Sequence, residues 1–384
     1  MNLYEFQAKN TLNLYVPFPK GEFTSNPEEA YEIARRLEPP VVIKPQGPFG
    51  GRGKLGKIYF ADTLDEAKKF ARRLLREKIK GKKVYGVLVE KKIVDIKREL
   101  YFAIKVNRSK RCYAAIASRK GGIDIEDVPP EEAMEMLTDP LFGFHQYDAI
   151  EIAKWLGYSG KQMRDLANIF VDVYHEVRKY NALLIDINPL AETYDEKFIA
   201  LDARLTVDGN AIRKHDDFKA IKEGRLEKVE LKAYESRLGY VKLDGNLGII
   251  GNGAGLVMFW VDWVKRLATK YGLMDKVGPA DFLDVGGGAD IGRMEVALDI
   301  LLEDPTVEVA AILMFTGVTR FDEMAKAIAN KKKKIDESNK PLFVAADGNK
   351  AKEGAQILQD SGIEASTDLF GTLEKAVRRA GGLE

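Results

Sequence analysis

Residues 44–58 read KPQGPFGGRGKLGKI, and Gly51, Gly56 and Lys57 fill the glycine and lysine places of the phosphate-binding pattern G-x-x-x-x-G-K-S/T. The last place holds Ile58, which has no oxygen for magnesium. The following run KIYFA (57–61) is β-branched and aromatic, so it predicts a strand where that pattern needs a helix N-terminus. A P-loop is excluded on both counts. What remains is a strand, the tip Gly50-Gly51-Arg52-Gly53, and a second strand. Glycines at the tip let backbone N–H groups approach an anion, while Arg52 and Lys54 supply charge. Lys44 ends the preceding strand VVIK (41–44) and can point into the same space. Taken alone, an ordinary exposed basic hairpin tip explains these residues as well as an anion site does.

A second constellation is acidic. Asp186 and Asn188, two apart in ALLIDINPL (182–190), share one face of a strand. Asp202, in KFIALDARL (197–205), is expected on the partner strand of a hairpin and can fall on that face. Two carboxylates and an amide oxygen make a hard, oxygen-rich site suited to Mg²⁺ held partly by phosphates. The competing reading is an edge strand with solvated acids. Against it, Asp186 and Asp202 each interrupt an apolar run, where an unpaired carboxylate is costly. Glu90 and Glu99, near strand ends between the two sites, can face a ribose, an amino group or Lys44, or be plain surface carboxylates. A cationic glycine loop, a strand lysine and a late acidic hairpin together resemble an ATP-grasp domain.

A third group lies in the second half, where three predicted strands end in glycine-rich loops: Gly251-Asn252-Gly253-Ala254-Gly255, Gly286-Gly287-Gly288 and Phe315-Thr316-Gly317-Val318-Thr319-Arg320. The first and third run into helices whose N-terminal N–H groups favour an anion. One such loop is commonly a tight turn; three on one edge point to a carboxylate or phosphate. GNGAGL lacks the third glycine of G-x-G-x-x-G, so no dinucleotide site is indicated. His145, His175 and His215 stand apart from these loops in sequence and read as surface or structural residues. Cys112, inside a predicted strand, reads as packed. The chain thus has the means to hold nucleotide, metal and an anion, but not a group to carry a transferred phosphoryl.

The elements that must position these residues follow from pattern. The chain has 384 residues, enough for two or three domains, with 60 basic against 59 acidic side chains. This balance gives no general pull toward nucleic acid or membrane, so any cationic site is local. A single cysteine suits a reducing compartment, and a cytoplasmic setting is expected. MNLYEFQAKN does not read as a signal peptide, and the apolar stretch 247–264 reads as strand, loop and helix. Asn26-Pro27 opens a helix to about Leu37, and Thr63 with Glu66 makes a capping box for a helix to about Arg76. Strands are expected at 85–90, 99–106 and 112–118, and an amphipathic helix over 166–177. The charged stretch 224–237 has little periodicity and is taken as the boundary between residues 1–230 and 240–384. Beyond it, strands near 247–251, 281–285, 307–315, 341–346 and 363–366 alternate with helices. Five βα units argue for a flavodoxin-like, doubly wound parallel sheet.

The whole chain is similar to the succinyl-CoA synthetase (succinate–CoA ligase) β-subunit family, through MNLYEFQAKN, GGRGK, INPL, YVKLDGNLG, NGAG and FLDVGGGA in order. The resemblance implies an N-terminal ATP-grasp domain and a C-terminal flavodoxin-like ligase domain. It also implies an α-subunit partner, in an αβ or α2β2 assembly, that binds CoA and carries the phosphorylated histidine. By the resemblance Lys44, Gly51, Arg52, Gly53, Glu90 and Glu99 fall on nucleotide-binding positions, and Asn188 and Asp202 on the magnesium ligands. Asn252 and Gly317-Val318-Thr319 fall on the carboxylate-substrate site, while Arg52 and Asp186 take the catalytic places. Mg²⁺ and ATP are the implied cofactors; Pro19, where GTP-preferring relatives carry Gln, favours ATP, with GTP the alternative. The chain departs from the family at DINPL (usually EINPL), at GGRGKLGK (usually GGRGKAGG) and in the substrate loop, FTGVTRFD for F-G-G-I-V-R-C-D. The two added hydroxyls could serve a more polar acid, and the Phe-Thr pair of that loop and RGKLG resemble ATP-citrate lyase relatives. A citryl-CoA synthetase large subunit is therefore the alternative to succinate, though VAADGN (344–349) lacks the arginine of the lyases. A stand-alone ATP-grasp carboxylate–amine ligase explains the first half but not the five βα units. A nucleotide-sensing scaffold does not need the acidic hairpin.

Overall fold

The computed structural model describes residues 1–49 and 55–383, which divide into two compact units, Met1–Ala220 and Ile221–Glu384. In the first unit a four-stranded antiparallel sheet runs in the order Gly21–Thr24, Gly86–Lys91, Val41–Gln46, Tyr59–Ala61. Two helices cover it. Pro27–Leu37 starts at Asn26, whose side chain accepts from Glu28 N at 2.9 Å, and Leu64–Arg76 starts at the Thr63–Glu66 capping box. Their apolar stripes, Ala30, Ile33 and Ala34 with Ala67, Ala71 and Leu74, close over Val41, Ile43, Val87 and Val89. Each fully buried isoleucine, valine or leucine there contributes roughly 1.5–3 kcal/mol. This fixes the strand that carries Lys44.

The second sheet of this unit is antiparallel, in the order Phe198–Ala200, Ala182–Thr193, Ile96–Asn107, Cys112–Ser118, Ala133–Leu137. Ala203–Val207 also pairs with Ala182–Thr193. The helix Gly160–Lys179 buries Leu166, Phe170, Val173 and Val177, the stripe expected from spacing, and Phe170 stacks on Phe102 at 3.8 Å. The partner strand expected over 197–205 is broken. Phe198–Ala200 and Ala203–Val207 are separate, and Asp202 lies in the gap between them rather than on a strand. The break sits opposite Pro189, which has no N–H for the ladder, and the register of Ala182–Thr193 shifts there. The N-terminus runs beside the same hairpin: Leu3 N donates to Leu205 O and Val207 N to Met1 O, both at 2.9 Å. That placement directs the helix Glu5–Leu12 and its two buried charges, Glu5 and Lys9.

In the second unit the strands lie in the order Gly239–Lys242, Asp281–Asp284, Leu247–Gly251, Val309–Thr316, Leu342–Gly348, Ala365–Ser366. The first is antiparallel and the other five are parallel. Counted along the chain, the parallel strands fall in the doubly wound order 2-1-3-4-5. Both faces are covered, one around Leu298, Leu301, Phe321 and Ile328, the other around Trp260, Val264, Leu373 and Val377. The stretch 224–237 is not unpatterned coil, since Lys228–Glu235 is helical with Ala233 in this unit's core. A single buried residue is too little to show as periodicity. Among the described residues no helix is long and apolar enough to cross a membrane.

Candidate functional site

Lys44 sits on the strand Val41–Gln46 with its side chain buried. Its Nζ donates to Glu5 Oε1 at 2.9 Å and to the Leu201 carbonyl at 2.6 Å. Glu90 Oε2 lies 2.8 Å away, an ion pair without the alignment of a hydrogen bond. Burial opposes the Lys44 cation, but Glu5, Glu90 and Asp202 outweigh it and hold its pKa above the ordinary lysine value. Glu90, at the end of Gly86–Lys91, is therefore no surface carboxylate: it is buried against Lys44 and Lys9. Sequence reasoning left Glu5 and Lys9 without a role. Their signal was a Glu–Lys pair at i, i+4 on a helix face with Ala8 and Leu12, which the motif MNLYEFQAKN hid in plain sight. Gly51, Arg52 and Gly53 lie outside the described residues.

The acidic hairpin is brought together largely as its residue types require. Asp186, on Ala182–Thr193 and opposite Arg204, has a buried Oδ1 with no hydrogen-bond partner. Burial and then the neighbouring Asp202 charge push its carboxyl up to about 6, against a smaller opposing pull from Arg204. Asn188 N donates to the Asp202 carbonyl at 3.3 Å, so the two residues are in register despite the strand break. The Asn188 amide latches the neighbouring loop: Oδ1 accepts Gly122 N–H at 2.7 Å and Nδ2 donates to Ile123 O at 2.8 Å. Its oxygen keeps a second lone pair. Glu99 lies within the strand Ile96–Asn107, half-buried, with its carboxyl raised by burial. Among the described residues no three His, Cys, Asp or Glu side chains gather in a metal-holding group. Two carboxylates and one amide suit a hard divalent cation that keeps waters and phosphate oxygens, and a buried Asp186 with an unpartnered oxygen and a raised pKa beside Asp202 is the electrostatic mark of such a place.

In the second unit the strand order reverses between Leu247–Gly251 and Val309–Thr316, and the loops that follow them flank this switch point. Side chains sew the loops together. Asp284 accepts from Gly253 N and from Gly286 N, the latter at 2.7 Å. Thr319 Oγ1 accepts from Gly288 N at 2.9 Å, and Asn349 Nδ2 donates to Gly317 O at 2.9 Å. Asn252 pairs both amide atoms with the backbone of Phe315, at 2.9 and 3.0 Å. Gly253 has φ +118°, a conformation that excludes a side chain, and no side chain caps the helix Ala254–Lys270 it opens. The first N–H groups of that helix and the exposed Gly317 and Val318 thus border one polar edge, while Thr319 is buried beneath it.

A family model described as ATP-grasp domain matches residues 2–192, and one described as CoA-ligase matches residues 250–378. The ADP-forming succinate–CoA ligase subunit beta of Ignicoccus hospitalis is 37% identical over 386 residues, covering 99% of this chain and 98% of that protein. The GDP-forming succinate–CoA ligase subunit beta of Thermus thermophilus is 39% identical over 366 residues, covering 94% and 93%. ATP citrate lyase from Methanothrix soehngenii, solved with citrate and coenzyme A, superposes with a TM-score of 0.75 over 98% of this chain and 99% of that one. At 18% identity that likeness shows the fold alone.

Proposed function

The chain belongs to the succinate–CoA ligase β-subunit family, and we propose that it is the nucleotide-dependent subunit of an enzyme making succinyl-CoA from succinate, CoA and ATP. Residues 1–230 are assigned to nucleotide binding and 240–384 to the ligase half. The observation that carries the reading is the presence in one chain of the Asp186–Asn188–Asp202 hairpin and a sheet edge with three sewn glycine loops. A partner α subunit would supply the histidine that this chain's sequence does not offer near those loops, and the CoA site. The γ-phosphoryl passes from ATP to that histidine and then to the carboxylate as an acyl phosphate, from which the CoA thiol displaces phosphate.

Asn188 and Asp202 would hold Mg²⁺, which supplies neutralisation of the phosphate charge when bound. Asp186 adds negative potential beside them, and Arg52 is assigned to the transferring phosphoryl. The N-terminus of Ala254–Lys270 would favour the phosphohistidine, and Gly317, Val318 and Thr319 with Asn252 would receive the carboxylate. One observation bears on the citrate alternative. Thr316 Oγ1 donates within a cluster of the Asp347 and Asn349 carbonyls, at 2.9 and 3.0 Å, and Thr319 Oγ1 receives Gly288 N–H. Thr316 spends its proton within its own loop cluster and Thr319 holds Gly288, which supports succinate over a more polar acid. The CoA-ligase match over residues 250–378 likewise speaks against a stand-alone amine ligase.

Reconstituted with its α subunit, the chain should move label from γ-labelled ATP to an α-subunit histidine and then form thioester with succinate. No histidine label, or thioester with citrate alone, overturns the assignment. Thr319→Val should leave Gly288 N–H without its acceptor, a local cost of about 1–3 kcal/mol. The KM for succinate should then rise several-fold with the KM for ATP unchanged, as steady-state kinetics would show.

A further inference from the structure

Four charged side chains meet around one backbone carbonyl. Lys9 Nζ is 2.9 Å from Glu5 Oε1 and 2.6 Å from Glu90 Oε1, and it donates to Leu201 O at 2.7 Å. Lys44 Nζ repeats the arrangement from the other side, at 2.9 Å from Glu5 Oε1, 2.8 Å from Glu90 Oε2 and 2.6 Å from Leu201 O. All four residues are at most 7% exposed. Two cations and two anions make the group neutral, which is what lets it stay buried. Each ammonium makes two hydrogen bonds and one further ion-pair contact, so each is engaged by three oxygens.

Such a ring is not the cheapest way to fill that space, because well-packed apolar residues commonly do as well as buried ion pairs or better. What charges offer and methyl groups do not is a directional hold on a carbonyl. The carbonyl held is that of Leu201, whose own N–H donates to Pro189 O at 2.9 Å. Leu201 is thus clamped on one side by the two lysines and on the other by the residue after Asn188. The next residue is Asp202, and its carbonyl accepts Asn188 N–H. The ring therefore sits one peptide away from the pair assigned to magnesium, on the stretch where the strand is interrupted and only the Leu201–Pro189 and Asn188–Asp202 backbone hydrogen bonds continue the ladder.

We propose that Glu5, Lys9, Lys44 and Glu90 are positioning residues of the metal site: they fix the Leu201 peptide so that Asp202 and Asn188 present their oxygens together. Glu5 and Lys9 thereby join Lys44 and Glu90 as equal members of the ring that holds the Leu201 carbonyl. This rests on the reading of Asp202 as a magnesium ligand.

The test uses the αβ complex, with Mg²⁺ concentration varied and two readouts, the rate at saturating ATP, CoA and succinate and the thermal shift given by Mg²⁺ with ADP, which should move together. Lys9→Met should raise the Mg²⁺ needed for half-maximal rate by about 10–100-fold, the range for losing a group that orients a metal ligand. The KM for succinate should not move, and Lys9→Arg should restore most of the Mg²⁺ response. Lys9→Met combined with Glu5→Gln keeps the ring balanced in charge, so a folded protein is available even where the single variant is not, and the same Mg²⁺ shift is expected. Asp202→Asn is the control. Should Asp202→Asn leave the Mg²⁺ response unchanged, the metal reading falls and the proposal with it. Should Asp202→Asn shift the response while the balanced Lys9 and Glu5 variant does not, the metal reading stands and the positioning role is refuted. A raised KM for ATP at unchanged Mg²⁺ response would also refute it.

Discussion

Lys44→Met should destabilise the four-stranded sheet by about 3–5 kcal/mol and abolish nucleotide-dependent activity. The size follows from what is left behind. With Lys44 gone, Glu5 and Glu90 share one ammonium, that of Lys9, in a place neither can leave for water. The same logic predicts a recovery. Lys44→Met with Glu90→Leu removes one charge of each sign, and a neutral, apolar replacement of a buried pair is often no less stable than the pair. The double variant should therefore regain most of the lost stability while remaining inactive. Urea-dependent hydrogen exchange of Val41–Gln46 and Gly86–Lys91 reads the stability of this sheet directly. If Lys44→Met and the double variant are equally unstable, the loss comes from packing and the charge argument is wrong.

Much of this was legible in sequence, and the parts that were not share a cause. The ligase half announced itself because parallel strands buried on both faces are apolar runs, as in LGIIG and VAAILMFT, and their glycine-rich ends mark βα turns. The helix over 166–177 was readable because one side of it is buried along its length. Asp186 and Asn188 were readable because a carboxylate in an apolar strand is costly without a purpose. For Lys44 the sequence allows the contact with Glu90 but gives no sign of Glu5 or the Leu201 carbonyl. A lysine at a strand end reads as a cation reaching for a ligand, and only the convergence of Glu5, Glu90 and the Leu201 carbonyl shows its charge engaged. Those partners lie 39, 46 and 157 residues away in the chain, beyond any local pattern. The strand break at Asp202 was hidden for a related reason: its cause, Pro189, is on the opposite strand. The Thr316 and Thr319 hydroxyls were visible as types, but which way they faced was decided by Gly288, Asp347 and Asn349 in other loops.

Asp202→Ala and Asp186→Asn should separate metal holding from protein stability, because their effects take opposite signs. Loss of a group that merely orients a ligand costs about 10–100-fold in metal affinity, so loss of Asp202 itself should cost at least about 100-fold. The added thermal stability given by Mg²⁺ with ADP should vanish in Asp202→Ala, since a ligand stabilises only the state it binds. Asp186→Asn acts differently. Its folded pKa, about 6, stands above the ordinary carboxylate value of 3.8, so the folded state binds the proton more tightly than the unfolded one. Its contribution to stability is fully present below the unfolded pKa and is lost as pH rises through about 6. Above that pH the ion-free protein carries a buried, repelled carboxylate. Removing it should raise stability by about 3 kcal/mol at pH 8 and change little near pH 4. The same substitution should weaken the Mg²⁺-dependent shift, since the negative potential beside Asp202 is what a cation would use. A more stable protein with a poorer response to Mg²⁺ is the expected result of thermal melts at the two pH values. Asp186→Asn that is less stable at pH 8 would mean that the carboxylate is held by attraction, and that this hairpin is built for the fold rather than for a metal.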